Sequence, residues 1–141
     1  MYPIHLRIEG QAALVAGGGA VAHRKTLGLL AVGAAVTVVA PELTPALAAL
    51  AAAGRIAWLK RRASADVFAS RTAPRLVFCA TDDPMVNAAF GKAAKEAGAL
   101  VNDATAPELC DFFLPAALRD GDLLVTVSTG GASPALARTL K

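Results

Sequence analysis

Apolar and polar positions along this chain switch between two periods. Ala12-Ala13-Leu14-Val15-Ala16 is a continuous apolar run of strand length, ending in Gly17-Gly18-Gly19. Beyond the glycines, Ala22, Thr26, Leu29 and Leu30 recur at i, i+4, i+7 and i+8, which is one face of a helix. Gly33 suits the C-terminal cap of that helix. The β-branched run at residues 35–40 predicts a second strand, and Thr44-Pro45 opens a helix running to Gly54. Residues 56–59 read as a third strand and residues 65–70 as one helical turn. Residues 75–80 are a fourth strand, residues 85–97 a helix capped by Gly98, and Leu100-Val101-Asn102 opens a fifth strand. Ahead of all these, Ile4, Leu6 and Ile8 alternate with His5 and Arg7, predicting a short strand with the polar pair toward solvent or a sheet edge.

Strands that alternate with helices imply a parallel sheet joined by right-handed crossovers, with ligands beyond the carboxyl ends of the strands. The loops at residues 17–21, 41–42, 81–83 and 103–107 all leave those ends and are expected to line one crevice. The pattern then changes. Apolar runs at residues 110–118 and 123–128 flank an Asp-Gly turn, which predicts a β-hairpin. Ser133 and Pro134 then form an N-cap and first helical residue. This tail cannot build a core alone, so a second chain or a further C-terminal region is expected to cover it. The predicted fold is α/β: a Rossmann-type parallel sheet over residues 1–109, then a hairpin and the start of a helix over residues 110–141.

The turn after the first strand carries specific chemistry. Gly17, Gly19 and Ala22 form G-x-G-x-x-A. Gly17 lets the chain reverse, Gly19 lets a pyrophosphate approach the backbone, and Ala22 lets the helix pack close to the strand. The unpaired amides and positive end of the helix dipole favour an anion there. Glu42 follows Gly19 by 23 positions, near where such folds place an acid against the adenosine ribose. Two roles are open to Glu42: ribose ligand, with the backbone of Pro41, or an ordinary exposed carboxylate at a helix start.

Composition narrows the class. The chain has 141 residues, 55% of them hydrophobic and many of those alanine, and no apolar run of membrane-spanning length. Met1-Tyr2-Pro3-Ile4-His5 lacks the pattern of a signal peptide, so the cytoplasm is expected. Cys79 and Cys110 are far apart and form no metal-ligand spacing; both are expected to be buried thiols. The net charge is +3 and the pI about 9.2. Lys60-Arg61-Arg62 reads as a solvated strand end. With aromatics at 5%, stacking platforms for bases are scarce, so no nucleic-acid partner is expected.

Assembled, these stretches resemble the N-terminal NAD-binding domain family of precorrin-2 dehydrogenases and siroheme synthases. The matching segments are Tyr2-Pro3-Ile4, Val15-Ala16-Gly17-Gly18-Gly19-Ala20-Val21-Ala22-His23-Arg24-Lys25, Gly33-Ala34-Ala35-Val36-Thr37-Val38-Val39-Ala40-Pro41-Glu42-Leu43, Ala80-Thr81-Asp82-Asp83, Val101-Asn102, Cys110-Asp111-Phe112 and Ser128-Thr129-Gly130-Gly131-Ala132-Ser133-Pro134-Ala135-Leu136-Ala137. The resemblance implies NAD-dependent oxidation of precorrin-2 to sirohydrochlorin in siroheme biosynthesis, a tetrapyrrole substrate, and a homodimer built partly through the hairpin. Some members also insert iron. Members continue into a small helical domain, expected to be absent from this chain. The resemblance implies that Gly17, Gly18, Gly19, Ala20 and Val21 meet the pyrophosphate of NAD. It likewise places Pro41 and Glu42 at the adenosine ribose, and Thr81 and Asp82 near the nicotinamide. Ser128, Thr129, Gly130, Gly131 and Ser133 stand where the tetrapyrrole and the dimer partner are expected; the same residues also suffice as a turn and a helix cap. No resident metal is expected.

One departure from the family bears on catalysis. Many relatives carry Asp, their proposed base, where this chain has Thr105 in Val101-Asn102-Asp103-Ala104-Thr105-Ala106-Pro107. Asp103, two residues earlier, shares a strand face with that position. Either Asp103 replaces the missing carboxylate or it bonds the local backbone. A nucleotide-sensing module without catalysis is the alternative function. A short-chain oxidoreductase is set aside, because its Tyr-x-x-x-Lys pair has no counterpart: Tyr2 is the only tyrosine.

Overall fold

The computed structural model describes residues 1–140, which divide into two compact units, residues 6–112 and residues 1–5 with the chain from Phe113 onward. In the larger unit, β1 (Ala12–Ala16), β2 (Ala35–Val39), β3 (Ala57–Leu59), β4 (Leu76–Cys79) and β5 (Leu100–Asp103) form a parallel sheet in the order β3-β2-β1-β4-β5. The order reverses between β1, which feeds β2, and β4. Such a switch point opens a crevice at the carboxyl ends of the strands.

The period-two pleat of β1 sends its side chains into two cores. Ala13 and Val15 join Val36, Val38 and Phe78 under Ala22 and Leu29 of α1 (Ala20–Ala31) and Leu47 of α2 (Pro45–Ala52). Leu14 and Ala16 join Val77, Cys79 and Val101 on the other face, under Phe90 and Ala94 of α3 (Pro84–Glu96). Gly91 lets α3 sit close on the sheet, since a Cβ there would stand 3.2 Å from Val101 Cγ1. The helix starts follow their caps: Thr44 Oγ1 accepts from Leu47 N, and Asp83 accepts from Met85 N and Val86 N, each ahead of a proline. The one-turn 3-10 segment Ala65–Phe68 packs Phe68 on Phe90, ring centroids 4.9 Å apart.

The predicted first strand is absent. Residues 4–8 are irregular, with Ile8 buried and Ile4 exposed. β1, which this segment feeds through the turn at Gly10, is already flanked by β2 and β4, so no sheet edge is free beside it. The outer edge of β5 is closed by side chains. Asp111 Oδ2 accepts from Val101 N (2.9 Å) while Asp111 N donates to Val101 O (2.7 Å). The Cys110 thiol accepts from Asp103 N (3.2 Å) and donates to Asp103 O (3.3 Å). Cys110 is therefore half-buried at an edge rather than in the core, whereas Cys79 is fully buried.

In the smaller unit, β6 (Ala116–Asp120) and β7 (Leu123–Val127) pair antiparallel through the two-residue turn Gly121-Asp122. Gly121 has φ of 55°, as a two-residue hairpin turn with glycine first requires. The strand starts at Ala116 rather than near Cys110, because the residues before it serve the β5 edge. His5 Nε2 lies 3.3 Å from Thr126 Oγ1. Ser133 caps α4 (Pro134–Leu140), accepting from Leu136 N.

Candidate active site

At the carboxyl end of β1, Gly17 has φ of 125° and donates from its N–H to Val39 O (2.9 Å). A Cβ on Gly17 would overlap the carbonyl of Ala80, and one on Gly18 would overlap the carbonyl of Glu42. The first two glycines are thus required by the protein's own backbone, where the loops after β1, β2 and β4 converge. Gly19 differs: nothing lies within 4 Å of where its Cβ would stand. It is the N-cap residue of α1, and His23 N makes the first helical bond to its carbonyl. No side chain caps this helix and no acid stands in its first turn, so its leading amides face open space with no internal competitor.

That space is a cleft of about 870 Å³. Gly17, Gly18, Gly19, Ala20, Val21, Pro41, Glu42, Thr81 and Asp82 all line it, together with Val86 and with Arg62, which follows β3. The open backbone at Gly19 and the free helix amides fit a dinucleotide pyrophosphate.

The loop after β5 does not join this cleft, contrary to the single crevice predicted from strand ends. Asp103 instead lines a separate cavity of about 320 Å³ between α3 and β5, with Gly91, Lys92, Lys95, Val101 and Leu109. The cause is local bonding. Asp103 Oδ1 accepts from Thr105 N (2.9 Å) and from Thr105 Oγ1 (2.8 Å), an Asx turn that holds the carboxylate. Asp103 is 4% exposed and its Oδ2 is buried without a partner. Thr105 itself is exposed.

Sequence reasoning missed Asn87. It is fully buried, and its carboxamide bonds both the cleft residue Thr81 and Thr105. The signal was an amide at the start of the otherwise apolar face Phe90, Gly91, Ala94 of α3. Lys25 was also passed over. Its ammonium lies 5.8 Å from the Phe78 ring centroid, and burial, with Arg24 beside it, lowers its pKa. Phe78 also meets Phe112 edge-on.

Ser128, Thr129, Gly130, Gly131 and Ser133 lie in the smaller unit. Ser128 Oγ accepts from Gly130 N, Thr129 Oγ1 from Ser133 N, and both glycines have positive φ. Among the described residues, no three His, Cys, Asp or Glu side chains cluster as metal ligands, and no helix is long and apolar enough to cross a membrane.

Fold and cleft together define a dinucleotide-binding α/β domain. Residues 4–116 match the family model described as "Putative NAD(P)-binding". The chain is 45% identical over 141 residues to siroheme synthases of Methylobacillus flagellatus and Methylococcus capsulatus, covering 99% of this chain and 29% of each of those proteins. It superposes on the solved structure of SirC, a precorrin-2 dehydrogenase, with a TM-score of 0.81 and 32% identity, covering 99% of this chain and 67% of that one. The chain belongs to this NAD(P)-binding family of siroheme synthases and precorrin-2 dehydrogenase. It spans under a third of the length of the siroheme synthases it matches.

Proposed function

We propose that this chain oxidises precorrin-2 to sirohydrochlorin with NAD as the acceptor. The observation that carries the reading is the open cradle at Gly19, set in a cleft whose lining comes from the loops after β1, β2, β3 and β4. NAD, when bound, supplies the hydride acceptor. The chain's own residues do the rest. Gly19, Ala20 and Val21 present backbone to the pyrophosphate, Pro41 and Glu42 meet the adenosine ribose, and Thr81 and Asp82 border the nicotinamide end. No arginine stands directly after β2, where a 2′-phosphate would need one. Asp103, with Oδ1 fixed by Thr105 and Oδ2 unpartnered, lines the neighbouring cavity between α3 and β5 and not the dinucleotide cleft, so as the carboxylate proposed for the proton it must be reached by substrate from that side.

Ser128, Thr129, Gly130, Gly131 and Ser133 offer hydroxyls and turn amides to the carboxylates of a tetrapyrrole. Exposed Leu118, Leu123 and Val125 on the hairpin support a homodimer. The setting is the cytoplasm. A second reading, a nucleotide-sensing module without turnover, draws on the capture of Asp103 by Thr105. Anaerobic mixing with precorrin-2 and NAD separates the two. NADH formed together with sirohydrochlorin is the expected result; NAD binding without NADH formation supports the sensing module.

A further inference from the structure

Asn87 is a carboxamide sealed inside the protein, which is costly unless its groups are bonded. All of them are. Its Oδ1 accepts from the Thr81 N–H (3.0 Å) and the Thr81 hydroxyl (2.6 Å). Its Nδ2 donates to the Thr81 carbonyl (3.1 Å) and to Thr105 Oγ1 (3.2 Å). Thr105 Oγ1 donates onward to Asp103 Oδ1 (2.8 Å). One end of this relay is a wall of the dinucleotide cleft, because Thr81 lines it. The other end is a buried carboxylate with a free oxygen. Thr105 lines neither cavity.

We propose that Asn87 is a positioning residue that couples the dinucleotide cleft to the Asp103–Thr105 turn. The inference rests on reading the cleft as the NAD(H) site. One rigid amide plane holds the backbone and the hydroxyl of Thr81, so any shift of Thr81 on ligand binding turns that plane. The same plane aims a hydrogen at Thr105 Oγ1. With Asn87 donating to that oxygen, the hydroxyl proton is directed to Asp103. Coupling of this kind is reciprocal: what cofactor binding does to Asp103, a change at Thr105 does to cofactor affinity.

The test is a fluorescence titration of NADH against the full chain and its Thr105→Val, Thr105→Ser, Asn87→Ala and Asn87→Ala/Thr105→Val variants. Thr105→Val is expected to weaken NADH binding by about fivefold or more, although it touches nothing in the cleft. Thr105→Ser, which keeps the hydroxyl, restores it. In the Asn87→Ala background the valine adds nothing, because the path is already cut. Thr105→Val within about twofold of the unaltered chain, or an effect that simply adds to that of Asn87→Ala, overturns the coupling. Should Asn87→Ala fail to fold, the exposed Thr105 pair decides alone. Failure of the unaltered chain to bind NADH overturns the cleft reading and this coupling with it. Intact binding and coupling without precorrin-2 turnover overturns only the dehydrogenase reading.

Discussion

Gly18 and Gly19 are neighbours, yet replacing each by alanine has opposite consequences. At Gly19 the new methyl meets nothing within 4 Å, and φ of −97° suits any residue. Loss of backbone freedom in the unfolded chain favours the variant by about 0.4–1 kcal/mol, and alanine's weaker capping offsets it by a few tenths to about 1 kcal/mol. The melting temperature should therefore scarcely move. The methyl, however, fills the space a pyrophosphate needs. Loss of two charge-assisted hydrogen bonds at about 1.5–3 kcal/mol each amounts to about 3–6 kcal/mol, roughly a 10²–10⁴-fold loss of NADH affinity. Gly18→Ala instead drives its methyl into the Glu42 carbonyl, with Ala40 Cβ at 3.1 Å behind it. The methyl is fixed by its own Cα and the atom it meets is backbone, so the loop after β2 must move, and a loss of about 1–3 kcal/mol or more in stability is expected. NADH titration and thermal melting of both variants check the pair. A Gly19→Ala protein that binds NADH like the unaltered chain would refute the assignment of the cradle.

If Asp103 takes the proton, Asp103→Ala should lower precorrin-2 turnover by about 10²–10⁴-fold; unchanged turnover removes that role. Burial, with Asp103 and Cys110 adding to it, pushes the Cys79 thiol from 9.0 up to about 12. A pKa raised by folding stabilises fully below the unfolded value and is lost as pH climbs toward the folded one. Between those values stability should fall by up to about 1.4 kcal/mol per pH unit, and urea midpoints of Cys79→Ala should fall less steeply. Phe90→Ala, at a residue 1% exposed and in tilted ring contact with Phe68, should cost about 3–5 kcal/mol in urea unfolding. Leu123→Asp on the exposed hairpin should leave a monomer by sedimentation while NADH binding persists; an unchanged sedimentation coefficient argues against dimerisation through this hairpin.

The parallel sheet was legible because its signals are local. The glycines after β1, the prolines opening α2 and α3, and the β-branched run of β2 each act within one turn of chain. The placement of Gly17, Gly18, Gly19, Pro41, Glu42, Thr81 and Asp82 around one cleft follows from that topology, since all leave strand carboxyl ends. Two features were not legible for physical reasons. Alternation at Ile4, Leu6 and Ile8 shows which side chains could share a face, but a strand also needs an open neighbour, and none is free there. Strand position likewise did not reveal where Asp103 points, because a hydrogen bond to the second residue along turns its carboxylate aside. Asn87 looked like a lapse in an apolar face, and its meaning depends on Thr105, eighteen positions away.

Surface loops ordinarily tolerate insertions and deletions. The connection from Asp103 to Cys110 should not. Its far end reaches back as a thiol and a carboxylate that take the place of the next strand along β5, so its length is a measured reach. One residue more or fewer would unseat both groups and leave the amides of Val101 and Asp103 free to recruit a strand from another molecule. Length variation within this family should therefore collect in the other loops, and a lengthened 104–109 segment should declare itself first as aggregation rather than as lost chemistry.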